Sequence, residues 1–144
     1  MSDPRPCSCD RSGNPTILLV EDEPFVRDAT RQILNSAGFF VLPAADARDA
    51  LRVYEKCHGC IDLVMTDLVL PGATGLELGE DIRQRSAQAN VLVTSGWGNA
   101  EYSTEDAASH TFFLAKPYSR RSLVEKIKDI LDRPEPLEAA AAAI

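Results

Sequence analysis

Ile61-Asp62-Leu63-Val64-Met65-Thr66-Asp67-Leu68-Val69-Leu70-Pro71-Gly72 is an apolar run that ends on a carboxylate and then breaks into a Pro-Gly turn. Bounded by turn residues, such a run fits a strand buried on both faces of a parallel sheet. Ligands of open α/β sheets bind outside the carboxyl ends of the strands. Asp67 therefore stands where chemistry takes place, and it is the first candidate for an active group. By itself it is more often a solvated strand-end aspartate, so the rest of the chain decides.

Working outward, the same punctuation recurs. Residues 16–20 (Thr-Ile-Leu-Leu-Val) are a short continuous apolar strand, and Glu21-Asp22-Glu23-Pro24 then opens a helix. Proline suits the first helical position, and acids suit the positive end of the helix dipole. On that helix Val26, Ala29, Ile33, Leu34 and Ala37 form one apolar stripe, and Gly38 is placed to stop it. Residues 39–42 make a second strand closed by Pro43, and Ala47, Ala50, Leu51 and Tyr54 mark a second helix to about Lys56. Beyond the central stretch, the pattern predicts a helix over 75–85, a strand over 91–94, a weak fourth helix over 99–109, a strand over 112–114 and a last helix over 119–131.

Five strands alternating with five helices imply a doubly wound α/β fold, a parallel sheet with helices on both faces and right-handed crossovers. Strand order 2-1-3-4-5 would set the ends of strands one and three side by side at the switch point. Residues 16–132 make this one domain; 1–15, with three prolines, read as a flexible arm, and 133–144 as a flexible Ala-rich tail.

At 144 residues the chain is long enough for a core of its own, and 44% hydrophobic with 26% charged residues is ordinary for a globular protein. A net charge of −7 argues against a nucleic-acid surface. No stretch approaches the roughly 20 apolar residues that span a bilayer, and the first residues lack a secretory core. The reading is a cytoplasmic protein without membrane attachment.

Strand order 2-1-3-4-5 brings Glu21 and Asp22 beside Asp67. Such carboxylates stay ionised together only with a cation between them, and an all-oxygen set with room for water suits Mg²⁺ or Mn²⁺. Helix capping explains acids at 21–23 but not the acid that ends the neighbouring strand. The ends of strands four and five add a hydroxyl, Ser95 or Thr94, and the ammonium of Lys116. Carboxylate, metal ligands, hydroxyl and ammonium are the parts of an acyl-phosphate site, with Asp67 attacking phosphorus while cations and a hydroxyl neutralise its oxygens.

Ile17-Leu18-Leu19-Val20-Glu21-Asp22-Glu23-Pro24, Asp67-Leu68-Val69-Leu70-Pro71-Gly72, Val91-Leu92-Val93-Thr94-Ser95-Gly96 and Leu114-Ala115-Lys116-Pro117 together resemble the receiver domains of two-component response regulators, flavodoxin-like phospho-acceptors, over about residues 15–132. The resemblance implies that Asp67 is the phosphorylated residue. It implies that Asp22, Asp67 and the main-chain carbonyl of Val69 bind Mg²⁺, with Glu21 acting mainly through water. Lys116 pairs with the phosphoryl group, and the Lys116-Pro117 peptide is cis. Counting from Asp67 favours Ser95 as the switch hydroxyl, with Thr94 second, and Phe113 is the rotating aromatic. One departure is Ala73-Thr74, where the family commonly has Met-Asp or Met-Ser. It predicts a local packing change only.

The implied donor is a sensor histidine kinase or a histidine phosphotransfer protein. Output would pass to a downstream protein, or to a second copy of the chain, through the face of the fourth helix, fifth strand and last helix. No output domain follows Leu131, so the chain reads either as a single-domain regulator or as a piece of a hybrid kinase. It promotes its own phosphorylation and dephosphorylation without being a turnover enzyme. A haloacid-dehalogenase-type hydrolase needs a second acid two residues after the nucleophile, where this chain has Val69. A flavodoxin needs a phosphate loop where this chain has Glu21-Asp22-Glu23. The serious alternative is a receiver-fold adaptor that is never phosphorylated, but neither acid nor lysine is missing.

Cys7, Cys9, Cys57 and Cys60 fall at the end of the sheet opposite Asp67. A zinc site, a redox pair and ordinary thiols are the alternatives, with ordinary thiols preferred and a structural disulfide disfavoured in a reducing compartment.

Overall fold

The computed structural model describes residues 13–57, 60–96 and 110–132. The parallel sheet consists of β1 (Thr16–Val20), β2 (Phe40–Ala44), β3 (Leu63–Asp67), β4 (Val91–Ser95) and β5 (Thr111–Ala115) in the order 2-1-3-4-5. Four helices are described: α1 (Pro24–Ser36), α2 (Ala47–Cys57), α3 (Gly75–Arg85) and α4 (Arg120–Leu131). The fourth predicted helix, at 99–109, lies outside the described residues, as do the predicted tail and all of the arm but its last three residues. No helix among the described residues is long and apolar enough to cross a membrane.

Strand alternation sorts the core into two layers. Leu18, Val20, Val64, Val91 and Val93 face α2 and α3, meeting Ala50, Tyr54, Leu78 and Ile82. Ile17, Leu19, Leu63, Met65 and Leu92 face α1 and α4, meeting Leu34, Leu123 and Ile127. The three inner strands are therefore buried at every position, and the apolar run that opens β3 and β4 and fills β1 after Thr16 is what made them readable.

Two details differ from the sequence reading. Pro43 does not close β2 but pairs within it, opposite Leu19. β2 is an edge strand, so the missing N–H costs no ladder bond. On α1, Val26 and Ala29 are exposed, and the buried positions are Thr30 and Leu34. Thr30 sits beside Tyr118, so a polar residue takes the place expected for an apolar one.

At the far end of the sheet the cysteines do not behave alike. Cys57, the last residue of α2, is a buried free thiol. Cys60, one turn on, is disulfide-bonded, with its partner outside the described residues. This differs from the expectation of ordinary thiols at Cys60 and leaves Cys57 as the free thiol among the described residues. Cys57 packs into the core.

Candidate functional site

The site is assembled from the carboxyl ends of β1, β3, β4 and β5. Register sets Asp67, the last residue of β3, opposite Thr94 of β4, and Ser95 opposite Ala115 of β5. Backbone bonds continue the lattice past the strand ends: Leu68 N–H donates to the Thr94 carbonyl at 2.8 Å and Lys116 N–H to the Ser95 carbonyl at 2.7 Å. The functional side chains therefore sit on rigid strand termini, and Lys116 is followed by a cis bond to Pro117.

Lys116 Nζ lies 2.6 Å from Asp67 Oδ1 and 3.8 Å from Glu21 Oε1. The Thr94 hydroxyl donates to the same Oδ1 at 2.9 Å. Glu21, Asp22 and Asp67 each present a carboxylate oxygen, all within 4.8 Å of one another. Glu21 and Asp67 are buried while Asp22 faces out, so the trio opens to solvent on one side. A cleft of about 190 Å³ lined by Asp67, Leu68, Val69, Thr94, Ser95, Gly96 and Lys116 adjoins it.

Electrostatics follow from this crowding. Burial, with a hydrogen bond to Asp67 and its charge, pushes Glu21 up to about 7, against the opposing pull of the Glu23 N–H and of Lys116. Burial works against charge on Lys116, but the hydrogen bond to Asp67 and the charges of Asp67 and Glu21 outweigh it and hold its pKa above the usual lysine range. The acids thus carry more negative charge than one lysine offsets. Hard oxygen ligands in that number, with an open side for water, suit a small divalent cation.

Every residue singled out for the acyl-phosphate site is at or beside it except Phe113, which is buried in the α2/α3 layer. Among the described residues the Ser95 hydroxyl lines the cleft without touching Asp67, whereas Thr94 does. Val69 lines the cleft and is 65% exposed. Two contributors were missed. Arg27, one turn into α1, donates to the Glu21 carbonyl at 2.8 Å and anchors the acidic strand end. Gly75 packs against Asp67: a Cβ there would lie 3.0 Å from Thr66 Cγ2, 3.2 Å from the Asp67 carbonyl carbon and closer still to its oxygen. A guanidinium bond to a backbone carbonyl leaves no pattern in sequence, and neither does a close backbone approach. Ala73-Thr74, the departure noted above, pairs antiparallel with Val69–Leu70. Thr74 then closes a capping box with Glu77, so the local change is a cap that starts α3.

The sequence profile of the response regulator receiver domain matches residues 17–128. The chain belongs to this family. The receiver domain is 33% identical over 127 residues to the sensor kinase CckA of Brucella abortus, covering 88% of this chain and 13% of that kinase. Among solved structures, the receiver domain of the hybrid histidine kinase CckA is 34% identical with a TM-score of 0.68, covering 81% of this chain and 99% of that one. The response regulator TrrA from Thermotoga maritima, solved in complex with Mg²⁺-BeF, is 26% identical with a TM-score of 0.70, covering 81% and 98%. The chain spans from 13% to about half of the length of the curated relatives it matches.

Proposed function

We propose that Asp67 accepts a phosphoryl group from the phosphohistidine of a sensor histidine kinase or a histidine phosphotransfer protein. An Asp67 carboxylate oxygen forms a bond to phosphorus as the P–N bond to the histidine breaks, and the imidazole leaves with the electron pair. The observation that carries this is the contact of Lys116 with Asp67 beside the acidic trio. It provides a nucleophile, a cation for the equatorial oxygens and a place for a metal within one cleft. Glu21, Asp22, Asp67 and the Val69 carbonyl are the groups that would hold Mg²⁺, which neutralises charge on the transferring phosphoryl group when bound. Ser95, which lines the cleft among the described residues, is the hydroxyl for a phosphoryl oxygen.

The donor reaches the cleft past exposed Phe25 and Val26 of α1 and the hollow of about 380 Å³ that Val26, Lys116, Pro117 and Tyr118 line. Output passes through β5 and α4, with Phe113 turning as the site fills, to a partner protein. Intact mass after incubation with acetyl phosphate and Mg²⁺ tests the reading. A gain of one phosphoryl group (about 80 Da, the mass of HPO₃) is expected in the wild type and none in Asp67→Asn. An adduct that persists in Asp67→Asn refutes Asp67 as the acceptor.

A further inference from the structure

Two hydroxyls stand next to each other at the end of β4, and they are differently employed. Thr94 is almost fully buried, and its hydroxyl has two neighbours, Asp67 Oδ1 at 2.9 Å and the Thr66 carbonyl at 3.4 Å. Both only accept, so the hydroxyl donates, and its single proton goes to the nearer and charged carboxylate oxygen. Lys116 Nζ meets the same Oδ1 from the β5 side. Both donors thus hold one oxygen of the nucleophile, before any phosphoryl group is present. The Ser95 hydroxyl has no hydrogen-bond partner among the described residues and faces the cleft.

We propose that Thr94 is a positioning residue for phosphoryl transfer: it fixes Oδ1 of Asp67 so that Oδ2 is the oxygen that attacks phosphorus. The inference rests on the acceptor reading above and divides the work between neighbours. Lys116 must serve two masters, Oδ1 beforehand and the phosphoryl oxygens during transfer. Thr94 has no such second duty and keeps Oδ1 in place when Lys116 turns away. With acetyl phosphate the Oδ2–P bond forms while the P–O bond to the acetyl carboxylate breaks, and acetate leaves with the electron pair. Thr94 keeps its proton, and Oδ1 becomes the carbonyl oxygen of the acyl phosphate, still receiving the same hydrogen bond. The backbone supports the assignment: Thr94 is in register with Asp67, and its carbonyl takes the Leu68 N–H, so hydroxyl and carboxylate ride on one ladder.

The test uses the full chain as wild type, Thr94→Val, which keeps the branched shape without the hydroxyl, and Thr94→Ser, which keeps the hydroxyl without the methyl. Two quantities are measured: the maximal rate and half-saturating concentration for acetyl phosphate by intact mass, and the affinity for beryllofluoride with Mg²⁺ by calorimetry. Thr94→Val is expected to lower the maximal rate about tenfold or more, with the half-saturating concentration within about twofold. It is expected to weaken beryllofluoride binding by a similar factor. Thr94→Ser is expected to restore both to within about threefold of wild type, since it restores the donor. Should Thr94→Val not fold, Thr94→Ala takes its place. Wild-type behaviour of the hydroxyl-free variant in both measurements overturns the inference, and so does a Thr94→Ser chain as impaired as Thr94→Val, which would make the role one of packing. A wild type that neither gains a phosphoryl group nor binds beryllofluoride overturns the acceptor reading itself.

Discussion

Replacing Gly75 by alanine is the smallest change that reaches the nucleophile through the backbone. The new methyl would meet Thr66 Cγ2 at 3.0 Å and the Asp67 carbonyl carbon at 3.2 Å, with the carbonyl oxygen nearer still. Carbon contacts settle near 3.5 Å or beyond, so backbone must give way by roughly 1 Å. It has little room, because Gly75 N–H is bonded to the Leu68 carbonyl at 2.6 Å and Asp67 pairs with β4. Overpacking of this kind costs about 1–3 kcal/mol, and the helix propensity gained by alanine offsets under ~1 kcal/mol of it. For a domain of this size that is a melting temperature lower by roughly 3–10 °C. A displacement of about 1 Å at Asp67 further predicts phosphorylation slowed by up to ~100-fold. Gly79, four residues along the same helix, is the control. A Cβ there meets Arg83 Nη2 at 3.4 Å and the Val91 methyls at 3.5 and 3.6 Å, which are ordinary contacts. Gly79→Ala is therefore expected to leave melting unchanged or raise it, by up to ~1 kcal/mol of stability. Thermal melts and acetyl phosphate kinetics on the two variants decide. Equal melting and equal rates for Gly75→Ala and wild type would show that α3 does not constrain the acceptor.

Protonation of Glu21 makes both stability and metal binding depend on pH. Its pKa in the metal-free fold is about 7 against an ordinary 4.5, so the folded state binds the extra proton. The associated stability, up to about 3 kcal/mol, is fully present below pH 4.5 and is lost as the pH rises through 7. Mg²⁺ needs the ionised acid, so its affinity should run the other way, falling several-fold from pH 8 to pH 6. Glu21→Gln should flatten that profile, and calorimetric titrations giving equal wild-type affinity at both pH values would exclude the linkage. Val69, at the mouth of the cleft, has no group with which to orient water. Val69→Glu is expected to shorten the acyl-phosphate lifetime by about tenfold, read as decay of the mass adduct after donor removal. An unchanged lifetime would show that water is activated elsewhere.

The architecture was legible because the chain spells it twice over. Inner strands buried on both faces carry uninterrupted apolar runs, such as 17–20 and 91–93, and glycine and proline follow shortly after each. The acids and the lysine were legible for a related reason, since Glu21, Asp67 and Lys116 are each the first charged residue after an apolar run and Asp22 follows Glu21 directly. What escaped was set by contacts rather than by pattern. Val26 and Ala29 have the spacing of a buried stripe, yet they are exposed, and α1 buries Thr30 and Leu34 instead. Ser95 and Thr94 are chemically interchangeable in sequence, and the β3–β4 register determines which one touches Asp67. Pro43 reads as a strand breaker until β2 is known to be an edge. The bonded state of Cys60 has no local sequence signature, because spacing indicates which thiols are near in the chain and not where each one points.

The tight seat of Gly75 also settles how mechanical stress is shared around the sheet. The start of α3 is wedged on the Asp67 carbonyl and tied to Leu68, so the tip of β3 and the whole of α3 form one stiff block. Load applied at the acceptor is not absorbed on that side. The compliant element is the opposite edge, where Lys116 hangs from the Ser95 carbonyl at the end of a strand with no neighbouring strand beyond it among the described residues. Stiffness on one flank thus gives direction to any strain raised at Asp67, and that direction is toward β4 and β5.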